Sequence, residues 1–62
     1  MTIEEYLSEN AFRWKIHGDT EMNGERIAIV SEFSPKGNSS GPFALLEKNG
    51  QIFNLEIGEE LT

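Results

Sequence analysis

The chain has 62 residues, eleven acids against five bases, a net charge of −6 and no cysteine. That length allows one domain, residues 1–62, which buries only about 60% of its unfolded surface and leaves little room for an enclosed reaction chamber. The charge opposes direct contact with phosphate backbones, and the missing thiols remove disulfide staples and thiolate zinc sites.

Adding the six glycines to the 37% of classical hydrophobic residues brings the apolar share into the range of about 45–50% typical of folded domains. No run approaches the roughly 18 apolar residues that span a bilayer. The start, Met1-Thr2-Ile3-Glu4-Glu5, is acidic where a signal peptide is basic and then greasy. With no cysteine for an oxidising compartment, a cytoplasmic protein without membrane contact is expected.

Thr2 followed by Glu5 has the spacing of a capping box, in which the two residues satisfy each other's amides. Ile3, Tyr6, Leu7 and Ala11 then fall on one helical face, and Glu4 and Glu5 complement the helix dipole. The spacing predicts a helix over Ile3–Asn10, too short to persist alone and therefore laid against a sheet. Phe12, Trp14 and Ile16 alternate with Arg13, Lys15 and His17, which predicts a half-buried strand. Gly18 to Gly24 is polar and ends in the turn pair Asn23-Gly24.

Glu25 to Phe33 reads as a second strand, with Ile27 and Ile29 on one face and Ala28 and Val30 on the other. That two-sided pattern predicts a central strand covered on both sides for part of its length. Ser34 to Pro42 has no apolar side chain and reads as the longest loop, the segment expected to move most. Its Asn38-Ser39-Ser40 matches a glycosylation acceptor, which carries no weight without a secretory signal. Phe43–Lys48 and Gln51–Ile57 flank Asn49-Gly50, the preferred pair for a two-residue type I′ hairpin. Pairing Lys48 with Gln51 puts Leu46 opposite Phe53 and Ala44 opposite Leu55, with Ile57 on the same side. This wholly apolar face is expected to meet the core. Glu59 to Thr62 reads as an acidic tail.

The predicted class is α+β, one short N-terminal helix packed on a four-stranded antiparallel meander. A small SH3-like or OB-like β-barrel is the competing closure, because the second strand is long enough to bend between two sheets.

The chemical motifs are thin. His17-Gly18-Asp19 lacks a serine held by a sharp backbone feature, so a solvent-exposed strand histidine is the simpler reading. Asp19-x-Glu21-x-Asn23-Gly24 echoes the opening of a calcium loop, but Val30 stands where the closing bidentate glutamate belongs. The carboxylate pairs Glu4–Glu5 and Glu59–Glu60 lie at chain ends, where burial is least. Lys36 lacks a phosphate-cradling glycine pattern. Phe12 and Trp14 lie across the strand from Arg13 and Lys15, so base stacking and phosphate contact do not share a face. No enzymatic activity, metal or cofactor is expected.

The mixed face of the hairpin offers the candidate partner-binding residues. Phe43, Leu45 and Ile52 form an apolar centre rimmed by Glu47, Asn54 and Glu56, which suits a basic cleft with a greasy anchor point. The same face is equally suited to burial against another copy of the chain.

The run Ala28-Ile29-Val30-Ser31-Glu32, the proline-containing loop, Pro42-Phe43-Ala44-Leu45-Leu46, Asn49-Gly50 and the closing strand resemble the end of the phage uracil-DNA glycosylase inhibitor family. The resemblance runs from Ala28 to the C-terminus, and the family shares the acidic character and the opening helix and strand. It implies a stoichiometric inhibitor that mimics DNA charge, acting in a host cytoplasm. The chain is shorter, lacks the family's second helix and has no Glu-Ser-Ile segment on its first strand, so no functional position is carried over.

The leading expectation is thus a small non-enzymatic inhibitor that blocks a basic site on a nucleic-acid-processing protein. A generic assembly module or homodimer comes second, and a nucleic-acid-binding barrel third.

Overall fold

A computed structural model describes all 62 residues. Helix α1 (Ile3–Asn10) is followed by strands β1 (Arg13–Met22), β2 (Glu25–Phe33), β3 (Ser39–Lys48), β4 (Gln51–Asn54) and β5 (Glu59–Glu60). The strands form one antiparallel sheet in sequential order. β1 and β5 are its free edges, so the sheet stays open and does not close into an SH3-like or OB-like barrel.

The helix begins where the capping box places it. The Thr2 hydroxyl accepts from the Glu5 amide at 3.1 Å, and Glu5 Oε1 accepts from the Thr2 amide at 2.9 Å. Eight residues have little helical stability in isolation. Docking supplies the rest: Ile3 and Leu7 are fully buried, worth about 1.5–3 kcal/mol each. Ala11, extended at φ −126°, ends the helix with its amide still donating to the Leu7 carbonyl.

Two Asn-Gly pairs set the hairpins. Asn23 and Gly24 take φ of 54° and 80°, and Asn49 and Gly50 take 52° and 76°, the left-handed pair a type I′ turn requires. The second hairpin has the expected register, Lys48 opposite Gln51 and Leu46 opposite Phe53. The first runs further than its polarity suggests. The tight turn pairs Met22 with Glu25 and draws the whole Gly18–Met22 segment into β1. An edge strand exposed to water tolerates such polar residues, and a bulge at His17 absorbs the register change.

The proline-containing loop also shortens. Only Ser34–Asn38 lies between β2 and β3, closed by the Ser34 amide on the Asn38 carbonyl at 2.9 Å and the Asn38 amide on the Ser34 hydroxyl at 3.1 Å. β4 stops at Asn54, where the side-chain oxygen takes the Glu56 amide at 2.9 Å and bends the chain. The acidic tail returns as β5, and the Leu61 amide bonds the Ile52 carbonyl at 2.7 Å. The meander thus has five strands rather than four.

The core lies on the side of the sheet opposite to expectation. Ile3 and Leu7 pack on Ala28, Val30, Leu45 and Ile52, with Tyr6, Trp14, Ile16, Phe43 and Leu61 around them. The all-apolar hairpin face, Ala44, Leu46, Phe53 and Leu55, faces away from the helix together with Ile27 and Ile29. β2 is covered on one side only. β1 explains the choice: Trp14 and Ile16 pair with Glu32 and Val30, and cross-strand partners share a side. The helix therefore meets apolar β1 residues only on the Val30 side; the other side of that strand end carries Arg13 and Lys15. Phe12, expected to join Trp14 and Ile16, precedes the strand and is 64% exposed.

At Gly41 the chain crosses β2 closely. A Cβ there would lie 2.8 Å from the Val30 carbonyl oxygen and 2.9 Å from the Phe43 ring, at φ +108°. Gly41→Ala is expected to cost at least about 1–3 kcal/mol and to lower the thermal midpoint by at least about 5 °C. Gly18→Ala, with open space around its Cβ, should stay within about 0.5 kcal/mol of the parent. Calorimetric melting of the two variants checks both statements.

Candidate functional site

The six residues read from the sequence as a partner-binding patch have other roles. Leu45 and Ile52 are 0% exposed beneath α1, and Phe43 is half-buried against them. These three are core, not anchors. Glu47 accepts the Ile3 amide at 2.9 Å, satisfying a first-turn donor that the helix itself leaves unpaired. Asn54 shapes the β4–β5 turn, and of the six only Glu56 is exposed.

Arg26, on β2, ties the helix to that side. Its Nη1 and Nη2 donate to the two Glu4 carboxylate oxygens at 2.7 and 2.8 Å, and Nε donates to Asp19 Oδ2 at 2.9 Å. Glu47 lies 3.8 Å from Nη1. The two-toothed contact with Arg26 holds the Glu4 carboxyl below its ordinary range. Asp19 therefore faces the helix side, away from His17, and the two do not form part of a triad.

Further along the covered side lies an acidic groove that includes Tyr6, Glu32, Asn54, Glu56 and Leu61. Burial pushes the Glu32 carboxyl up. Tyr6 is raised chiefly by burial and then by the negative charges of Glu32 and Glu59.

The opposite side of the sheet has no covering layer. Thr20, Ile27, Leu46 and Phe53 lie side by side across four strands, with Ile29 and Ala44 in the next row. Leu55 adjoins Ala44 through a 3.0 Å amide–carbonyl bond. Ile29 is 40% exposed, Leu55 43% and Met22 70%. The margin is polar. Arg13 stacks over Phe33 at 5.7 Å, Lys48 pairs with Glu25 at 3.8 Å and Gln51 donates to Glu60 at 3.1 Å. His17 Nε2 lies 2.8 Å from the Ser31 hydroxyl, which is nearly buried beneath it.

Strand alternation separates these side chains into the two observed sets, but the helix covers the set opposite to the one that apolar content suggests. A signal was present in the Trp14–Ile16 strand, whose apolar side fixes the covered face once it is paired with Val30. No helix is long and apolar enough to cross a membrane.

Of the three perturbed carboxylates, Glu4 and Glu32 act on stability in opposite senses. Glu4, depressed below 4.5, stabilises the fold above that pH, and the contribution is lost as pH falls through its folded value. Glu32, raised above 4.5, lowers stability as pH rises through its folded value. At neutral pH Glu4→Gln should destabilise, by under about 1 kcal/mol given the exposure of that side chain, and Glu32→Gln should stabilise. Both differences should shrink towards strongly acidic pH in urea titrations. Comparison with protein-family models, with characterised proteins and with solved structures yields no match for this chain.

Proposed function

We propose that this is a small cytoplasmic, non-enzymatic protein-binding domain whose contact surface is the uncovered face of the sheet. The observation that carries the reading is the unequal treatment of two comparably apolar sides. One is buried under α1, while the other leaves Met22, Ile27, Ile29 and Leu55 substantially exposed. A contiguous apolar surface of this kind is characteristic of interaction sites.

The free edges support the same surface by elimination. A bare edge strand invites another strand to pair with it, and natural proteins blunt it with charges, bulges or brevity. β1 carries a bulge at His17 and the charges of Arg13, Lys15, Asp19 and Glu21, while β5 is two residues long and both are glutamates. The edges are protected and the face is not. The test is capture by tagged protein, with further copies of the chain counted as a partner. Ile29→Glu combined with Leu55→Glu should abolish capture while the far-ultraviolet circular dichroism of the fold is retained. Unchanged capture by that variant sinks this reading.

A second reading rests on the distribution of charge. Asp19, Glu21, Glu32, Glu47 and Glu59 share the helix side of the sheet, as their pairings with Ala28, Arg26, Trp14, Ile52 and Asn54 require, and α1 adds Glu4, Glu5 and Glu9. Arg13, Lys15 and Lys48 occupy the other side. Apart from Arg26, which is held by Glu4 and Asp19, the charged side chains placed on the helix side are acids, a surface suited to the basic, nucleic-acid-binding site of a target protein, in the manner of a DNA-mimicking inhibitor. In that case binding weakens steeply with salt and is lost on Glu56→Lys with Glu59→Lys. Glu47 is unsuitable for this test, because it caps α1. Titration against a basic target at rising salt decides the matter.

A further inference from the structure

We infer that the occupant of the open face is a second copy of this chain, in a twofold dimer whose axis runs along β3. The inference rests on the proposal that the open face is the contact surface, and names its partner.

The first support is self-complementarity. A twofold interface must match its own pattern under rotation. The apolar strip spans β2, β3 and β4, and β3 is the middle strand of the sheet. Rotation about an axis along β3 exchanges the two flanks. Ile27 and Ile29 of β2 then meet the partner copy's Phe53 and Leu55, which occupy the corresponding rows on the β4 side. Leu46 and Ala44 lie on the axis and meet their own equivalents. The large side chains on one flank oppose large side chains on the other, with the small Ala44 between them.

Charge gives the second support. The same rotation carries the β1 edge over the partner copy's C-terminal edge and sets Thr20 in the same row as the partner copy's Glu60. The acid-rich helix sides point away from each other, so two chains of net charge −6 approach through their least negative surfaces.

Size is the third. The molecule extends 37 Å by 20 Å by 19 Å, so its sheet face offers an area on the order of 700 Å², close to the roughly 800 Å² per partner of a standard interface. Two sheets stacked in this way form a sandwich with strands nearly aligned. The six-residue core of one chain is then joined by a second apolar layer, shared between copies.

Sedimentation at about 100 µM, well above a low-micromolar Kd, should give twice the 7.0 kDa chain mass. The dimer should persist in about 1 M salt, where charge interactions are screened beyond about 3 Å. Ile29→Glu should raise the dissociation constant at least about 100-fold with Trp14 fluorescence still reporting a folded chain. The natural chain has no cysteine, so Leu46→Cys provides a single thiol at the axis. A short bis-maleimide should link two such chains efficiently, whereas Glu9→Cys on the helix side should not link. A monomer at that concentration, or a dimer indifferent to Ile29→Glu, overturns the inference, as does equal cross-linking of the two thiols. A monomer that still captures a different protein through Ile29 and Leu55 overturns the dimer alone and leaves the broader reading standing.

Discussion

The architecture depends on which side of the sheet the eight-residue helix occupies: Trp14 and Ile16 make that side apolar on β1, and one guanidinium anchors the helix to it. Arg26 projects from the covered side of β2, grips both Glu4 oxygens and sits beside Glu47, whose carboxylate holds the Ile3 amide. The helix N-terminus is therefore fixed to β2 and β3 by charge and hydrogen bonding at the same point where Ile3 enters the core. Apolar burial alone discriminates poorly between the two sides, since β2 and the hairpin are apolar on both. β1 breaks that tie through Trp14 and Ile16, and the directional polar contacts then fix where the helix N-terminus sits.

Placing the helix there divides the molecule chemically. The covered side collects most of the carboxylates, some satisfied by Arg26 and others left around Tyr6, where burial moves the Glu32 protonation equilibrium upward and burial with repulsion moves that of Tyr6. The open side keeps an apolar centre with a margin of mixed charge, in which Arg13, Lys15 and Lys48 stand with Glu25 and Glu60. Small domains reach stability with thin cores, and this one has only six fully buried apolar residues. An additional apolar layer would relieve the shortage, which makes a bare sheet face in so small a chain an energetic argument for association as well as a surface feature.

Local chemistry was legible in the sequence and long-range choice was not. The helix limits follow from Thr2 and Glu5, and the hairpin register follows from Asn49-Gly50, because each depends on residues a few positions apart. β2 was equally readable from its composition. The polar segment Gly18–Met22 hid a strand because alternation detects burial, and an edge strand facing water has none to show. Glu59 and Glu60 concealed a strand for the same reason. The candidate patch failed on a different count. Leu45 and Ile52 were correctly placed on one face with Glu47 and Asn54, but alternation tells only which residues share a side. Deciding which side the helix covers requires the β1–β2 register and the Arg26–Glu4 pair, both set by the fold as a whole.

The two functional readings draw on opposite sides of one sheet, and this has a consequence for how they relate. Sheet packing through the open faces leaves both helix sides exposed, directed outward and separated by the thickness of two sheets. Stacking in that manner does not consume the acidic surface; it duplicates it on a rigid support. A basic target with two or more cationic sites could then be engaged twice by one particle, and linked sites gain effective concentration without any new contact. Self-association through the apolar face and charge-directed binding through the helix side are therefore compatible layers of one design. On these proposals the first would add stability, and the second would set the sign of charge that a partner must carry.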